Sequence, residues 1–434
     1  MLMYLTKSKG LSRKQITLDF YLGGVILCGF ANIFLFQMSP ENWGIGLNGW
    51  ITVVARAIAW VLVCSFSALA YGALGYCLSS IKLADRRIFI LPLLFPVAEV
   101  LRSYLFAAMA YGPNGSLSPN FNWGSLAVPA SGTILVYSSR IIGFFGLTFI
   151  TVLVNLALFL LIKRRIYPSL MIVCAVALVT TLGWKMGDNQ QNSRKILVSS
   201  VHLSETDDMK TTDKSLSPPS GTDVLVLPEY SGIEQDKQVS KYLGPLSSNG
   251  VAITSIVNGR SPKGTNRIIY LSKDGRVSEK QDKTFLIPTG ELLPYSLQAS
   301  FKTIGRSSIN EDFRYTQQLE RGKQPERVYV TKDGIAIGTL ACSGVSALNE
   351  YSRLTNEGAD VLVNTASLAF LQPNSLYHVY ARNMARFQAV SNNRPFVQSS
   401  RSGQSYILDN QGKTLIESTG QNKQILSAEL YIRK

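Results

Sequence analysis

Histidine is almost absent from this chain, and cysteine is scarce outside its apolar segments. The 434 residues contain two histidines, His202 and His378, and five cysteines. Four of the cysteines lie in apolar segments of the first half, which leaves Cys342 as the only cysteine of the polar second half. We therefore expect no histidine-based catalytic triad, no zinc site and no cofactor. A lone thiol also cannot form a disulfide within its own domain.

Basic residues are missing from two loops of the first half. Five apolar segments, at about 17–37, 51–79, 89–110, 136–162 and 167–187, are long enough to cross a hydrocarbon core of about 30 Å. Loops 38–50 and 111–135 contain no Lys or Arg, whereas the N-terminus and the two other loops are basic. By the positive-inside rule, the N-terminus is cytoplasmic, and five crossings place residues 188–434 outside the cytoplasm.

The net charge of +15 raises the question of a nucleic-acid partner. Much of the excess, however, lies in short loops next to the apolar segments. Topology and anionic membrane lipids explain this charge, so we predict membrane lipids as partners and no nucleic acid.

The two halves of the chain form different domains. We assign residues 1–187 to a transmembrane helical bundle, 188–194 to a linker and 195–434 to an extracytoplasmic domain. The second half contains short runs rich in Val, Ile and Leu, which are typical of strands buried on both faces. A helical pattern at 377–390 would cover one face, and KDGR from Lys273 and DNQGK from Asp409 are typical of hairpin turns. The pattern predicts a layered α/β domain.

Two charged residues lie inside the third apolar segment. Glu99 and Arg102 are three residues apart and therefore share one helix face. They could form a structural pair that locks the bundle, or line polar access for a lipid head group or peptide. The uncharged loop that follows carries Phe121 and Trp123, and we expect it to rest on the bilayer.

Three reactive side chains follow separate apolar runs. Glu229 lies in DVLVLPEYS, Lys283 in DKTFLIPTGELLPY and Cys342 in GIAIGTLACSG. A carboxylate in a dry pocket can take the proton of a thiol, and a lysine can stabilise the resulting oxyanion together with the N–H that follows the cysteine. Glu291 is a second carboxylate that could position the lysine, and Ser343 is small enough to let the backbone turn.

Each of these residues also has a structural interpretation. Glu229 could be a solvated loop residue, Lys283 a surface charge and Cys342 a small buried apolar residue. Their shared position at strand ends favours one acyl-transfer site.

The motifs around these residues resemble the nitrilase, or carbon-nitrogen hydrolase, superfamily, and more closely the apolipoprotein N-acyltransferases. EVLRSYLF at Glu99 and MARFQAVSNNRPFVQSSRSGQSYILDNQGK from Met384 add to the resemblance. It implies a membrane bundle joined to an αββα sandwich, a Glu229, Lys283, Cys342 triad and Glu291 as a supporting carboxylate. It further implies a multi-pass protein of the bacterial inner membrane. Such a protein takes an acyl chain from a phospholipid as a Cys342 thioester and passes it to the amine of a diacylglyceryl-cysteine lipoprotein.

The chain departs from the family pattern beside the nucleophile. Members usually carry an aromatic residue and a glutamate there, where this chain has Ser343 and Gly344. SLAFLQP from Ser367 replaces the usual Asn-Asp-aromatic segment, and AELYIRK at the end is unlike the family's final span. Two alternatives therefore stay open: a membrane-tethered amidase or acyltransferase with another acceptor, and a degenerate, non-catalytic scaffold.

Overall fold

A computed structural model describes residues 11–38, 50–81, 84–187, 193–204, 207, 217–230, 236–247, 250–372, 375–419 and 422–433. The chain divides into two compact units. The first contains Val53–Met109 and Leu117–Asp188, together with the N-terminal segment up to Phe36. The second contains Asn189–Lys434 and two short segments of the first half, Gln37–Thr52 and Ala110–Ser116, which the sequence did not predict.

The first unit is helical. Its helices are α1 (Arg13–Ala31), α2 (Trp50–Ser79), α3 (Ala84–Met109), α4 (Ala127–Ser131), α5 (Ser139–Ile162) and α6 (Ile166–Lys185), with 3-10 turns at Ile33–Gln37 and Ile134–Ser138. Over the described residues, five helical segments are long and apolar enough to cross a membrane: Arg13–Gln37, Thr52–Ser79, Arg86–Met109, Ile134–Ile162 and Ile166–Lys185. These helices match the five predicted spans to within a few residues.

Small residues let α1 and α2 pack closely. A Cβ atom added to Gly75 would lie 2.7 Å from the Cβ of Phe20 and 2.9 Å from the carbonyl oxygen of Ile16. Glycine is therefore needed where these two helices meet, as is common between membrane helices. The capping box of Ser12 and Gln15 satisfies N–H groups where α1 begins.

The loop between α3 and α5 is more buried than expected. Phe121 and Trp123 are buried, and their rings lie 5.4 and 5.1 Å from the ring of Phe106 on α3. Our expectation that these two residues rest on the bilayer is wrong, because they complete an aromatic cluster inside the first unit.

The second unit contains two six-stranded sheets. Its strands are β1 (Ser193–His202), β2 (Val224–Glu229), β3 (Val251–Asn258), β4 (Thr265–Leu271), β5 (Val277–Asp282), β6 (Tyr329–Val330), β7 (Ala336–Ala341), β8 (Val361–Ser367), β9 (Phe396–Arg401), β10 (Tyr406–Leu408), β11 (Thr414–Glu417) and β12 (Gln424–Arg433). The sheet orders are β12-β1-β2-β3-β4-β5 and β11-β10-β9-β8-β7-β6. The two predicted hairpin turns join β4 to β5 and β10 to β11, both as antiparallel pairs.

Each sheet has a central parallel group. β1, β2 and β3 run parallel in the first sheet, and β7, β8 and β9 run parallel in the second. Parallel strands are buried on both faces, which accounts for the nearly continuous Val, Ile and Leu in their sequences. Their carboxyl ends share one edge of each sheet, and Glu229, Cys342 and Ser367 all lie at such ends.

Helices cover the outer faces of both sheets. The other helices of this unit are α7 (Asp236–Leu243), α8 (Tyr295–Thr303), α9 (Ser308–Thr316), α10 (Glu350–Asn356) and α11 (Leu376–Asn392). The core between the sheets joins β1 to β4 with β7 to β10, through residues such as Val226 and Val363. Val239 and Leu243 of α7 pack on the outer face of the first sheet, and the ring of Tyr351 on α10 meets the ring of Phe396 of the second sheet edge-to-face. This arrangement is an αββα sandwich, so the predicted fold class is confirmed.

Candidate active site

Cys342 lies on a sharp turn directly after β7. Its φ is +46°, a backbone conformation that is strained for any residue with a side chain. A 3-10 helix occupies Cys342–Ser346. The side chain is buried. Its thiol donates to the carbonyl of Ser367 at 3.6 Å, and the charge of the Glu229 carboxylate acts on it at short range. The turn thus places the thiol among groups from other strands.

Glu229 is the last residue of β2 and is buried. One carboxylate oxygen accepts from the Nδ2 of Asn266 at 2.5 Å, and the other accepts from the backbone N–H of Ser367 at 3.0 Å. Burial raises the pKa of Glu229 above its ordinary value, and the negative charge of Glu291 adds to this rise. A carboxylate with a raised pKa is a stronger base, which is the property that proton removal from a thiol requires.

Lys283 directly follows β5, and its side chain is 2 % exposed. The ammonium bonds both carboxylate oxygens of Glu291, at 2.9 and 2.8 Å. Burial alone lowers the pKa of Lys283, but the charges of Glu291 and Glu229 outweigh it and raise the pKa above its ordinary value. Lys283 is therefore a buried, permanently charged cation beside the thiol and the base.

Asn266 is a member of this site that the sequence did not reveal. Its Nδ2 donates to Glu229 at 2.5 Å and to Glu291 at 2.9 Å, so one side-chain amide bridges the two carboxylates. Its backbone carbonyl accepts from the N–H of Lys283 at 2.7 Å. Asn266 lies near the start of β4 between Thr265 and Arg267, so nothing in the local sequence distinguishes it from its polar neighbours.

Ser367 acts through its backbone alone. Its N–H bonds Glu229 and its carbonyl accepts the thiol of Cys342, so one residue at the end of β8 holds both groups. These contacts are independent of the side chain. The unusual segment SLAFLQP therefore keeps the backbone contacts of the site.

Ser343 and Glu326 hold the surrounding segments. The hydroxyl of Ser343 donates to the carbonyl of Phe285 at 2.9 Å, which ties the turn after the cysteine to the segment after Lys283. Glu326 is buried and accepts from the N–H and the hydroxyl of Thr284 at 2.9 and 2.6 Å. Burial raises the pKa of Glu326. The sequence did not point to Glu326, which lies in a loop.

The pKa of Cys342 is raised by burial and by the negative charge of Glu229, although Lys283 opposes this rise. The cysteine is therefore a thiol at rest and not a thiolate. Chemistry at this site requires proton transfer to Glu229 as the sulfur attacks. Glu229, Lys283, Glu291 and Cys342, which the sequence predicted to lie together, do lie together.

Glu99 and Arg102 have separate partners in the first unit. The carboxylate of Glu99 accepts from Ser125 and Thr148, each at 2.5 Å, and from the N–H of Leu126 at 2.8 Å. The guanidinium of Arg102 donates to the carbonyl of Trp123. Their charges are close enough to interact, but their hydrogen bonds hold the loop between α3 and α5. No group of three or more His, Cys, Asp or Glu residues that could hold a metal occurs within the described ranges.

Two family models match consecutive parts of this chain. The family described as "Apolipoprotein N-acyltransferase N-terminal domain" matches residues 1–157, and the family described as "Carbon-nitrogen hydrolase" matches residues 219–433. The second match begins ten residues before Glu229 and contains all four residues of the predicted site.

Curated relatives carry the same combination. The chain is 23% identical over 359 residues to a protein of Allorhizobium ampelinum named apolipoprotein N-acyltransferase, an alignment covering 75% of this chain and 64% of that relative. A protein of Rickettsia bellii with the same name is 23% identical over 399 residues, covering 86% and 75%. The chain thus spans slightly less than two thirds of the first relative.

A solved carbon-nitrogen hydrolase from Helicobacter pylori G27 matches with 17% identity and a TM-score of 0.41, covering 54% of this chain and 89% of that one. The two family matches, found in this order on one chain, together with the curated relatives support the placement of this chain in the apolipoprotein N-acyltransferase family as a divergent member.

Proposed function

We propose that this protein is a lipoprotein N-acyltransferase with Cys342 as its nucleophile. One observation carries the proposal: the buried carboxylate of Glu229 and the thiol of Cys342 bind the N–H and the carbonyl of the same residue, Ser367, within the field of the buried ammonium of Lys283. These three groups supply a nucleophile, a base and a cation for the oxyanion. The proposed partners are a phospholipid acyl donor and a lipoprotein acceptor.

In the first half-reaction, the sulfur of Cys342 attacks the ester carbonyl carbon of the phospholipid while its proton passes to Glu229. Negative charge develops on the carbonyl oxygen, where Lys283 and the N–H of Ser343 stabilise it. The intermediate collapses with cleavage of the acyl C–O bond. Glu229 returns the proton to the departing oxygen, which leaves a lysophospholipid and a Cys342 thioester.

In the second half-reaction, the free amine of a diacylglyceryl cysteine attacks the thioester carbon. The amine proton passes to Glu229, an amide bond forms and the C–S bond breaks. The leaving sulfur takes the proton back from Glu229, which restores the resting thiol. One residue thus serves as base and acid in both halves, as microscopic reversibility requires.

We assign Lys283 a fixed electrostatic role. Because its pKa is raised, it stays protonated and cannot compete with Glu229 as the base. Glu291 holds the ammonium through both carboxylate oxygens, so little reorganisation is needed when the oxyanion forms.

Both proposed substrates carry lipid anchors, and a chain with five membrane-spanning helices stays at the bilayer, where they reside. We propose that the N-terminus is cytoplasmic, that residues 195–434 form the extracytoplasmic catalytic domain after a bundle at 1–187, and that the membrane is the bacterial inner membrane. Labelling of single introduced cysteines with a membrane-impermeant maleimide in intact spheroplasts tests this topology.

The function itself is tested with purified protein in detergent, a phospholipid and a synthetic diacylglyceryl-cysteine peptide. Wild type should N-acylate the peptide, and Cys342→Ala and Glu229→Leu should abolish the reaction. Cys174→Ala is a matched control, because it removes an exposed cysteine of α6 that lies outside the site. Retained activity in the Cys342→Ala protein would contradict the proposal.

Ser343 and Gly344 favour a second candidate, a transferase of the same chemistry with a different amine acceptor. A Cβ atom on Gly344 would lie 2.5 Å from the Cβ of Leu340, so the larger residue usual in the family does not fit here. Competition between the lipopeptide and small amines for the preformed thioester separates the candidates. Faster consumption by a small amine supports the second one.

A further inference from the structure

The carbonyl of the nucleophile itself has a buried partner. The Nδ2 of Asn364 donates to the carbonyl oxygen of Cys342 at 3.3 Å and to the Oε1 of Gln398 at 3.1 Å. Asn364 lies on β8 and Gln398 lies opposite it on β9. Both side chains are buried, and Gln398 in turn donates to the carbonyl of Gln404 at 3.0 Å. Two neighbouring strands therefore fix the amide that holds Cys342.

This contact also orients the next N–H group. The carbonyl of Cys342 and the N–H of Ser343 belong to one planar trans peptide, in which they point in opposite directions. A donor that holds the carbonyl towards β8 therefore directs the N–H away from β8. The positive φ of Cys342 makes such a hold necessary, because this peptide would otherwise relax towards a more favourable backbone conformation.

The side chain of Ser343 holds the same peptide from its other end. Its hydroxyl donates to the carbonyl of Phe285 at 2.9 Å, two residues after Lys283. The N–H of Ser343 is thus fixed between a strand contact at Cys342 and a contact to the segment that carries the lysine. Both anchors are buried, which protects them from competition with water.

We infer that Asn364 is a positioning residue which, through the carbonyl of Cys342, holds the Ser343 N–H as a preorganised donor for the oxyanion. This inference rests on the proposed function, because an oxyanion forms only if Cys342 attacks a carbonyl carbon. Asn364 touches neither substrate nor sulfur. It acts by keeping one peptide plane from turning.

Two reactions of Cys342 separate this role from a structural one. Acylation by p-nitrophenyl butyrate passes through an oxyanion, whereas alkylation by iodoacetamide displaces iodide at a saturated carbon and forms none. Both reactions need the thiol, its base and access to the site. Only acylation needs the oriented N–H.

We expect Asn364→Leu to slow acylation of Cys342 by about 10-fold to 100-fold, somewhat less than removal of an oxyanion donor itself. Alkylation should change by less than about threefold. The double variant Asn364→Leu/Gln398→Leu replaces both hydrogen-bonding partners by apolar groups, which limits the loss of stability. Its ratio of acylation rate to alkylation rate should equal that of the single variant Asn364→Leu. Asn392→Leu is the matched control, because this residue bonds within its own helix at Gln388 and should leave both rates unchanged.

Equal loss of acylation and alkylation in the Asn364 variants would overturn the inference, as would unchanged acylation. If neither variant folds, Ser343→Ala applies the same test from the other anchor, and acylation should again fall more than alkylation. The outcome is independent of the lipid substrate: a wild type acylated by the p-nitrophenyl ester but not by phospholipid contradicts the proposed donor and leaves the role of Asn364 testable.

Discussion

Replacing Glu291 by glutamine changes the charge balance of the site while keeping its shape. In the wild type, Glu291 holds the ammonium of Lys283 at 2.8 and 2.9 Å, and its negative charge raises the pKa of Glu229. Glu291→Gln removes that charge. Of the two carboxylates that interact with Lys283 in this site, only Glu229 then remains. Both changes lower the pKa of Glu229.

The magnitude follows from charge interactions at short range. Two unit charges about 4 Å apart interact by about 4 kcal/mol at an effective dielectric constant of about 20, and a nearby opposite charge lowers the pKa of a carboxyl group by about 1 to 3 units. Glu229 must be deprotonated to accept the thiol proton, so the acid limb of the rate profile should move to lower pH by about one unit. The plateau should fall by up to about 10-fold, because a base whose pKa is about one unit lower accepts the proton at most about ten times less readily.

The assay is the rate of Cys342 acylation by phospholipid between pH 5 and 9, followed by mass spectrometry of the intact protein. Glu326→Gln is the matched control, because Glu326 is also buried but bonds Thr284 and not the ammonium. Its rate should stay within about threefold of wild type with the acid limb in place. An acid limb that stays in place or moves to higher pH in Glu291→Gln would refute the reasoning, as would an equal shift in the control.

Three further changes test other contacts. Asn266→Leu removes two hydrogen bonds to carboxylates, each worth about 1.5 to 3 kcal/mol, so the melting temperature and the acylation rate should both fall; an unchanged rate would show that the bridge to Glu229 is dispensable. Burial lowers the pKa of His202, so the unfolded chain binds the proton more readily and the free energy of unfolding should drop as the pH falls below about 6.5. His202→Gln should flatten that slope in denaturant titrations, and an unaltered slope would exclude His202 as its source. Gly344→Ala should cost about 1 to 3 kcal/mol in the same titrations because of its contact with Leu340, and full stability would show that the turn adapts freely.

Much of the fold could be predicted from local patterns. Apolar segments of 18 or more residues specify membrane-spanning helices because backbone groups in hydrocarbon must bond within the segment. Short runs such as VLVLPE and AIGTLA specify strands buried on both faces. Because parallel strands end at one edge, residues that follow such runs were expected to meet, and Glu229 and Cys342 do.

Other elements depend on pairing that is distant in the sequence. β5 and β12 are partly exposed and carry charged residues, and β12 pairs with β1 across more than 200 residues of chain. No local period distinguishes such strands from loops. Likewise, Tyr111 joins the second unit because its carbonyl accepts from the N–H of Tyr295 at 2.8 Å, a contact that no pattern near Tyr111 indicates.

The site was predictable only in its reactive residues. Glu229 and Cys342 stand out because their chemistry is rare at the ends of apolar runs, whereas Lys283 follows β5, which carries charged residues. Asn266 does not stand out, since a single amide in a strand has no characteristic spacing. Ser367 cannot be found from any side-chain pattern, because it contributes its N–H and its carbonyl alone.

The most direct test is whether Cys342 forms a thioester with a phospholipid acyl chain. Wild-type protein incubated with phospholipid and no acceptor is digested and its cysteine peptides are analysed by mass spectrometry. We expect an acyl adduct on Cys342 that hydroxylamine removes, no adduct on the other four cysteines, and none on Cys342 in the Glu229→Leu variant. An unmodified Cys342, or an acyl group carried by another residue, would contradict the account.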